Sequence, residues 1–358
     1  MSARERAAPA AASLAGALER IASRSADLDR RPRFPAENFR DLADAGALAP
    51  PAGGLAGEVR LVRAVAAVDG STARILDGHL NGVERLASSG PEQLRFNELR
   101  QIRKGTLLLG VWGADPVAGE GPPARMEDRD GRLVLRGVKT FCSGAGGVQR
   151  ALVVAAHGEE RGRLAYVDTG SGVRVDRAWY RASGLRSSES HRVEFHDTPV
   201  LALLGEPGEL AREPWFSRDA VRTSATWAGL SDGLVAETVS RLDRARVDAT
   251  QAQAVGRMRV ALGTIDRWLD HTAAVLGRPG EGVPVPDQTA LALECRLALH
   301  ECARLIASLA ARACGSRALV DGGRLDRARR DLDLFLLQHR LDPKLATLGC
   351  DSLQAGAR

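Results

Sequence analysis

The chain has 358 residues, 44% of them hydrophobic, and a formal charge of +5, which allows one large buried core or two to three smaller ones. The charge is interleaved along helical text such as "RLDRARRDLDL" (324–334), a pattern of solvated helix surface that excludes the basic stripe nucleic acid requires. No apolar run approaches the ~20 residues of a membrane span, and five cysteines, odd in number and without CxxC spacing, exclude a disulfide framework and lead us to expect a reduced, cytoplasmic compartment.

The first 25 residues are rich in Arg and Ala but include Glu5 and Glu19, and such acidic residues speak against a transit peptide. From Ala11 to about Gly105 apolar residues return at three and four, the spacing of helices. In "PAENFRDLADAGAL" Phe39, Leu42 and Ala45 share one face, and Gly46 stands where a helix stops. Between about Thr106 and Leu204 the period changes to two. "DRDGRLVLRGVKTF" carries an Asp-Gly turn signal, "ALVVAA" reads as a buried strand, and "HRVEFHDTPV" sets Val193 and Phe195 among polar residues, with His191 and His196 expected to face outward and no metal site implied. Five or six short strands are expected. After "LLGEPGEL" the text is helical to the end, interrupted by the loop "LGRPGEGVPVPDQ" (276–288). In the helix beyond, Leu291, Cys295, Ala298, Cys302, Leu305 and Leu309 form one stripe, so both cysteines read as core and not as ligands. The expected fold class is α+β multi-domain: an N-terminal α-helical domain (1–105), a middle β-barrel or sandwich domain (106–210) and a C-terminal four-helix bundle (211–358).

Three segments carry a family resemblance. "GVWGADPVAGEG" (110–121), "GVKTFCSGA" (137–145) and "GLRSSESHRVEFHDTPVLALLGEPGE" (184–209) occur in the order and spacing of the flavin-binding words of the acyl-CoA dehydrogenase superfamily, which includes flavin-dependent monooxygenases of the same fold. The chain resembles that superfamily over nearly its whole length. The resemblance implies FAD, or alternatively FMN, held by Trp112, Gly113, Ala114, Phe141, Cys142 and Ser143, with Gly315 in a reduced form of a later glycine segment. The chemistry of these residue types agrees: an isoalloxazine needs a flat apolar wall, hydrogen-bond donors at its polar edge and close backbone approach. Phe141 offers the wall, Ser143 a donor, and Gly144 to Gly147 the room. Lys139 resembles the family's structural lysine. Arg186 and Ser190 suit phosphate, ribose or another polar group of a ligand, and Trp227 and Gln338 complete the substrate-side expectation.

Desaturation of an acyl thioester requires a carboxylate base, which the family places early in the first helix after the β domain in some branches and otherwise near the C-terminus. Here that place falls at Gln338 and His339, in "RRDLDLFLLQHRLDPKLATLG". His339 is the candidate acid–base residue, since an imidazole exchanges protons near neutral pH; its commonplace reading is a hydrogen-bonded helix-end histidine. Asp219 and Arg222, three apart after the β region, read as an ordinary exposed helix pair. Three functions are carried forward: α,β-desaturation of an acyl-CoA or acyl-carrier thioester with hydride transfer to flavin N5 and an electron-accepting flavoprotein; a flavin monooxygenase using O2 and reduced flavin from a partner reductase; and a degenerate homologue without turnover. A homodimer or homotetramer is expected, with no nucleic-acid, membrane or metal partner.

Overall fold

The computed structural model describes residues 13–277, 285–320, 322–338 and 341–355. Five helices come first: α1 (Leu14–Arg30), α2 (Ala36–Asp44), α3 (Gly54–Ala66), α4 (Gly70–Ser89) and α5 (Glu92–Arg103). Their ends follow local chemistry. Ser13 caps α1 by accepting from Gly16 N, and Asp69 caps α4 by accepting from Thr72 N at 2.7 Å, each satisfying an amide that has no partner within its own helix. Gly46 takes φ +69 just past α2, as the sequence indicated, and Phe39 and Leu42 are buried.

Seven strands follow: β1 (Leu109–Trp112), β2 (Arg125–Arg129), β3 (Arg132–Cys142), β4 (Arg150–His157), β5 (Glu160–Asp168), β6 (Val173–Asp176) and β7 (His191–Leu204). β2 and β3 form a hairpin around Asp130 and Gly131, both at positive φ. The order β4-β2-β3-β7-β5 closes through β4–β5 pairing, with β1 beside β4 and β6 beside β7, so the sheet curls into a barrel-like shape without free edges among those five strands. The count exceeds the five or six expected because β1 and β6 span four residues each, too short to show alternation. β3 and β7 are long, 11 and 14 residues. The β3–β7 register shifts at two places, between Leu135 and Gly137 and between Lys139 and Cys142. At the first, Gly137 has φ +105 and a Cβ would lie 2.5 Å from Pro123 O. The second is where the candidate site lies.

Five further helices are α6 (Trp215–Arg241), α7 (Ala249–Leu276), α8 (Val285–Cys314), α9 (Arg324–Leu337) and α10 (Asp342–Ala355). α6 packs against α3, α4, α7, α8 and α9, which explains why its residues are buried nearly all round. This corrects the reading of Asp219 and Arg222 as an exposed pair. Arg222 is fully buried and donates to Glu58, Asn81, Asp219 and Glu84, while Asp219 also accepts from Arg85. The i,i+3 spacing was visible, but burial comes from helices 130 or more residues away in sequence. On α8 the deepest residues are Cys295, Leu299, Ala303, Ile306 and Ala310; of the stripe inferred from sequence, Cys295 and Leu309 are buried and Cys302 is its half-buried edge. Val285–Gln288 belong to α8, so the helix begins inside the expected loop, whose residues 278–284 lie outside the described ones.

Candidate functional site

β1 runs on into residues 113–115, and β3 holds that segment down. Lys139, 1% exposed, donates from Nζ to Gly113 O and pairs with Asp115 at 2.6 Å. Thr140 N donates to Ala114 O, and the Trp112 indole N–H donates to Ser143 O at 3.1 Å. Both ends of the turn are thus fixed, and Phe141 between them takes the left-handed region at φ +51, a costly conformation for an aromatic residue that persists only where its surroundings impose it. The result aims the ring outward. Phe141 is 54% exposed and meets Trp179 edge-on, centroids 4.9 Å apart, and Trp179 is itself steadied by donation to Glu120 at 2.9 Å.

Phe141 forms one wall of a cavity of about 680 Å³, with Ala114 and Ser143 beside it, within the ~300–1,000 Å³ typical of small-molecule sites. A second wall comes from Trp179, Tyr180 and Ser190, and a third from Arg74 of α4 with Phe335 and Gln338 of the α9 end. Ser143, Ser190 and Ser188 join in a hydroxyl chain, Oγ to Oγ at 2.9 and 2.8 Å, and the Tyr180 hydroxyl donates to Gly184 O and Leu185 O, both at 3.4 Å. Burial pushes the Tyr180 phenol upward, so it stays a donor at neutral pH. Arg74 is held by Asp77 at 3.0 Å and lies over the Phe335 ring. Among the described lining residues there is no Asp or Glu.

The segment 183–190 is shaped by α9. Asp331 accepts the Leu185 amide at 2.6 Å and Arg330 donates to Ser183 O while pairing with Asp29; Leu185 and Glu189 both take φ +48. Burial, with Asp69 and Asp29 nearby, raises Asp331 to about 7.

Of the residues singled out from sequence, Ala114, Phe141, Ser143, Ser190 and Gln338 meet at this cavity. Trp112 and Gly113 stand behind it, as strut and as acceptor for Lys139. Cys142 does not reach it: alternation turns its side chain into the core, where it is fully buried and its thiol is pushed well above its ordinary value. Trp227 is also core, edge-on to Phe335 and behind the lining. Arg186 is half-buried at the start of a short 3-10 turn (Arg186–Ser188) and lies off the cavity. Gly315 ends α8 at φ +72, away from it. His339 lies outside the described residues. The glycines after Ser143 leave no room for a ligand: a Cβ would overlap Val148 at Gly144, Arg177 at Gly146 and the Phe34 ring at Gly147. His196 faces outward as expected, but His191 is 4% exposed, because residue 191 shares the parity of Val193 and Phe195. The residues that sequence reasoning missed are Arg74, Trp179, Tyr180 and Phe335. "WY" at 179–180 was a usable signal in a chain only 4% aromatic. Arg74 among 47 arginines was not.

No family model matches the chain. It is 25% identical over 334 residues to acryloyl-CoA reductase (NADH) of Anaerotignum propionicum, covering 85% of this chain and 83% of that protein. It is 27% identical over 164 residues to dibenzothiophene monooxygenase of Rhodococcus erythropolis, 44% of this chain and 38% of the relative. Among solved structures, dibenzothiophene monooxygenase from Paenibacillus sp. A11-2 superposes with a TM-score of 0.80 at 18% identity, over 93% of this chain and 94% of that one. Methanesulfinate monooxygenase from Pseudomonas fluorescens gives 0.81 at 23%, over 95% of both, and KijD3 in complex with dTDP gives 0.84 at 21%, also over 95% of both. The Paenibacillus enzyme and KijD3 have also been solved with FMN, and this chain shares the fold of these neighbours, the acyl-CoA dehydrogenase fold.

Proposed function

We propose that the protein is a flavin-dependent monooxygenase that receives reduced flavin from a separate reductase. The observation that carries this reading is the cavity wall itself: an outward-facing aromatic ring and a hydroxyl chain, with no carboxylate among the described lining residues. The residues fit a flavin, since Phe141 offers an open aromatic face and Ser143 and Ser190 offer hydroxyls beside it. FMN is the favoured form, because the Paenibacillus monooxygenase and KijD3 have both been solved with FMN. When bound, the flavin supplies two-electron chemistry that activates O2. The chain's own residues do the rest. Phe141 would stack on it, Ser143 would donate a hydrogen bond to its polar edge, and Tyr180, whose hydroxyl donates to Gly184 O and Leu185 O, would steady the Ser188 end of the hydroxyl chain. Asp331 and Arg330 fix the backbone that carries Ser188 and Ser190.

A second reading, reduction or desaturation of an acyl thioester, is favoured by the 25% identity to acryloyl-CoA reductase over 85% of the chain. It needs a base to remove the α-proton; His339 is its proposed one.

Two measurements on flavin-loaded protein separate the readings. Oxygen consumption that depends on added reduced FMN is expected. Bleaching of bound oxidised flavin by an acyl-CoA under anaerobic conditions, lost in His339→Ala, would establish the thioester reading instead. Failure to retain any flavin on reconstitution would leave only a binding protein without turnover.

A further inference from the structure

A second cavity, of about 540 Å³, opens between the starts of α6 and α8 and one face of α10. It lies on the other side of the core from the first: Trp227 packs edge-on against Phe335, which lines the first cavity, and carries Arg296, which lines the second, 5.0 Å above its ring. The cationic groups here are unusual for this chain. Arg296 is 4% exposed, and neither its Nε nor its Nη2 has a hydrogen-bond partner among the described residues. Lys344 at the rim lies 5.2 Å from the centroid of the Phe216 ring. Elsewhere the buried arginines of α6 are matched by carboxylates, as Arg222 is by Glu58, Glu84 and Asp219. These two cations have aromatic faces and no carboxylate within ion-pair distance among the described residues.

The acids that line the same cavity, Glu213 and Asp351, form no ion pair with either cation. Glu213 is committed to Ser217 N and Oγ and to Thr289 Oγ1, and Asp351 is exposed at the outer end. Partial burial and the charge of Arg296 hold Lys344 below its ordinary value against an opposing pull from Glu213, and burial lowers Arg296 to about 10 despite the charge of Asp77, so the nearby carboxylates offset neither cation fully. A guanidinium out of water without acceptors is costly. The remaining walls are apolar: Phe216, Leu293, Leu341 and Leu348.

We propose that this cavity is a second binding site, for a small amphipathic carboxylate whose head group lies between Arg296 and Lys344 and whose aliphatic body lies against Phe216, Leu293 and Leu348. The carboxylate answers the ammonium of Lys344 at the rim and the positive charge of Arg296 in the wall, whose Nε and Nη2 are themselves closed off from solvent. The site does not depend on the flavin reading, since it shares no lining residue with the first cavity.

The test is isothermal titration of the full chain with sodium octanoate, with 1-octanol as the uncharged control. Saturable one-to-one octanoate binding is expected, weakened at least tenfold in Lys344→Met and in Arg296→Met, matched by no comparable octanol binding, and unchanged in Phe141→Ala. Because Lys344 is exposed, its variant tests the proposal even if Arg296→Met fails to fold. Absence of binding through the millimolar range, equal binding of octanol, an unchanged affinity in Lys344→Met, or loss of binding in Phe141→Ala would each overturn it.

Discussion

Phe141 is held in an unfavourable backbone conformation by its neighbours. Its neighbours are pinned from both sides by Lys139, Thr140 and Trp112, and a positive φ turns the ring to the cavity while Cys142 turns inward. Stacked aromatic pairs contribute about 0.5–1.5 kcal/mol beyond area burial, and each ~1.4 kcal/mol is tenfold in affinity. Phe141→Ala should therefore weaken FMN binding about tenfold, read by quenching of flavin fluorescence, with little change in thermal stability because the ring is already half in solvent. Asp331 makes a different prediction. Its carboxyl is raised to about 7 in the folded chain against 3.8 as the ordinary value, so between about pH 4 and pH 7 the folded state holds a proton the unfolded state has lost. Stability contributed by this group is present at the acid end and falls as pH rises through 7. The urea midpoint should drop between pH 5 and pH 8, and Asp331→Asn, which keeps an acceptor for Leu185, should flatten that slope; a slope identical to wild type would remove Asp331 as its source.

At the level of elements, α3 and α6 cross at contact distance. A Cβ at Gly229 would sit 2.1 Å from Arg63 O and 2.6 Å from the Ala66 methyl. Alanine is the better helix former by about 1 kcal/mol, so an isolated helix would gain. Here the clash is with backbone, which cannot swing aside, and overpacking costs about 1–3 kcal/mol. Gly229→Ala should lower the denaturation midpoint despite its helix propensity. The same comparison explains how much of each element could be read in advance. Helices with one apolar face and a clear stop, such as α2 with Phe39, Leu42 and Gly46, were legible because their signal is local. α6 was legible as a helix but not as a buried one, since Asp219 and Arg222 are polar letters whose partners Glu58, Asn81, Glu84 and Arg85 sit on α3 and α4. The α8 stripe was read one residue off, because α8 is covered by α6 and α7 and its inward face is wider than a single row.

For the whole molecule, a ligand that binds only the folded state raises stability by RT ln(1 + [L]/Kd), about 2.7 kcal/mol at a hundredfold excess over Kd. Saturating FMN should raise the melting temperature by several degrees and FAD by less; the reverse order would reassign the cofactor, and no shift with either would count against a flavin site. Among the described residues no helix is long and apolar enough to cross a membrane, and no group of three or more His, Cys, Asp or Glu is placed to hold a metal ion. The sequence by itself determined the change of period at about residue 106 and again after 204, the Asp-Gly hairpin, and the segments 110–121 and 137–145 that the fold brings side by side, since each is written in neighbouring residues. Tertiary structure alone decided that Arg74, Tyr180 and Phe335 close the cavity, that the glycines after Ser143 are filled by Phe34, Arg177 and Val148, and that Trp227 separates two cavities. Those outcomes depend on which elements meet, and burial, which sets the charge and exposure of each group, is a property of the contact and not of the letter.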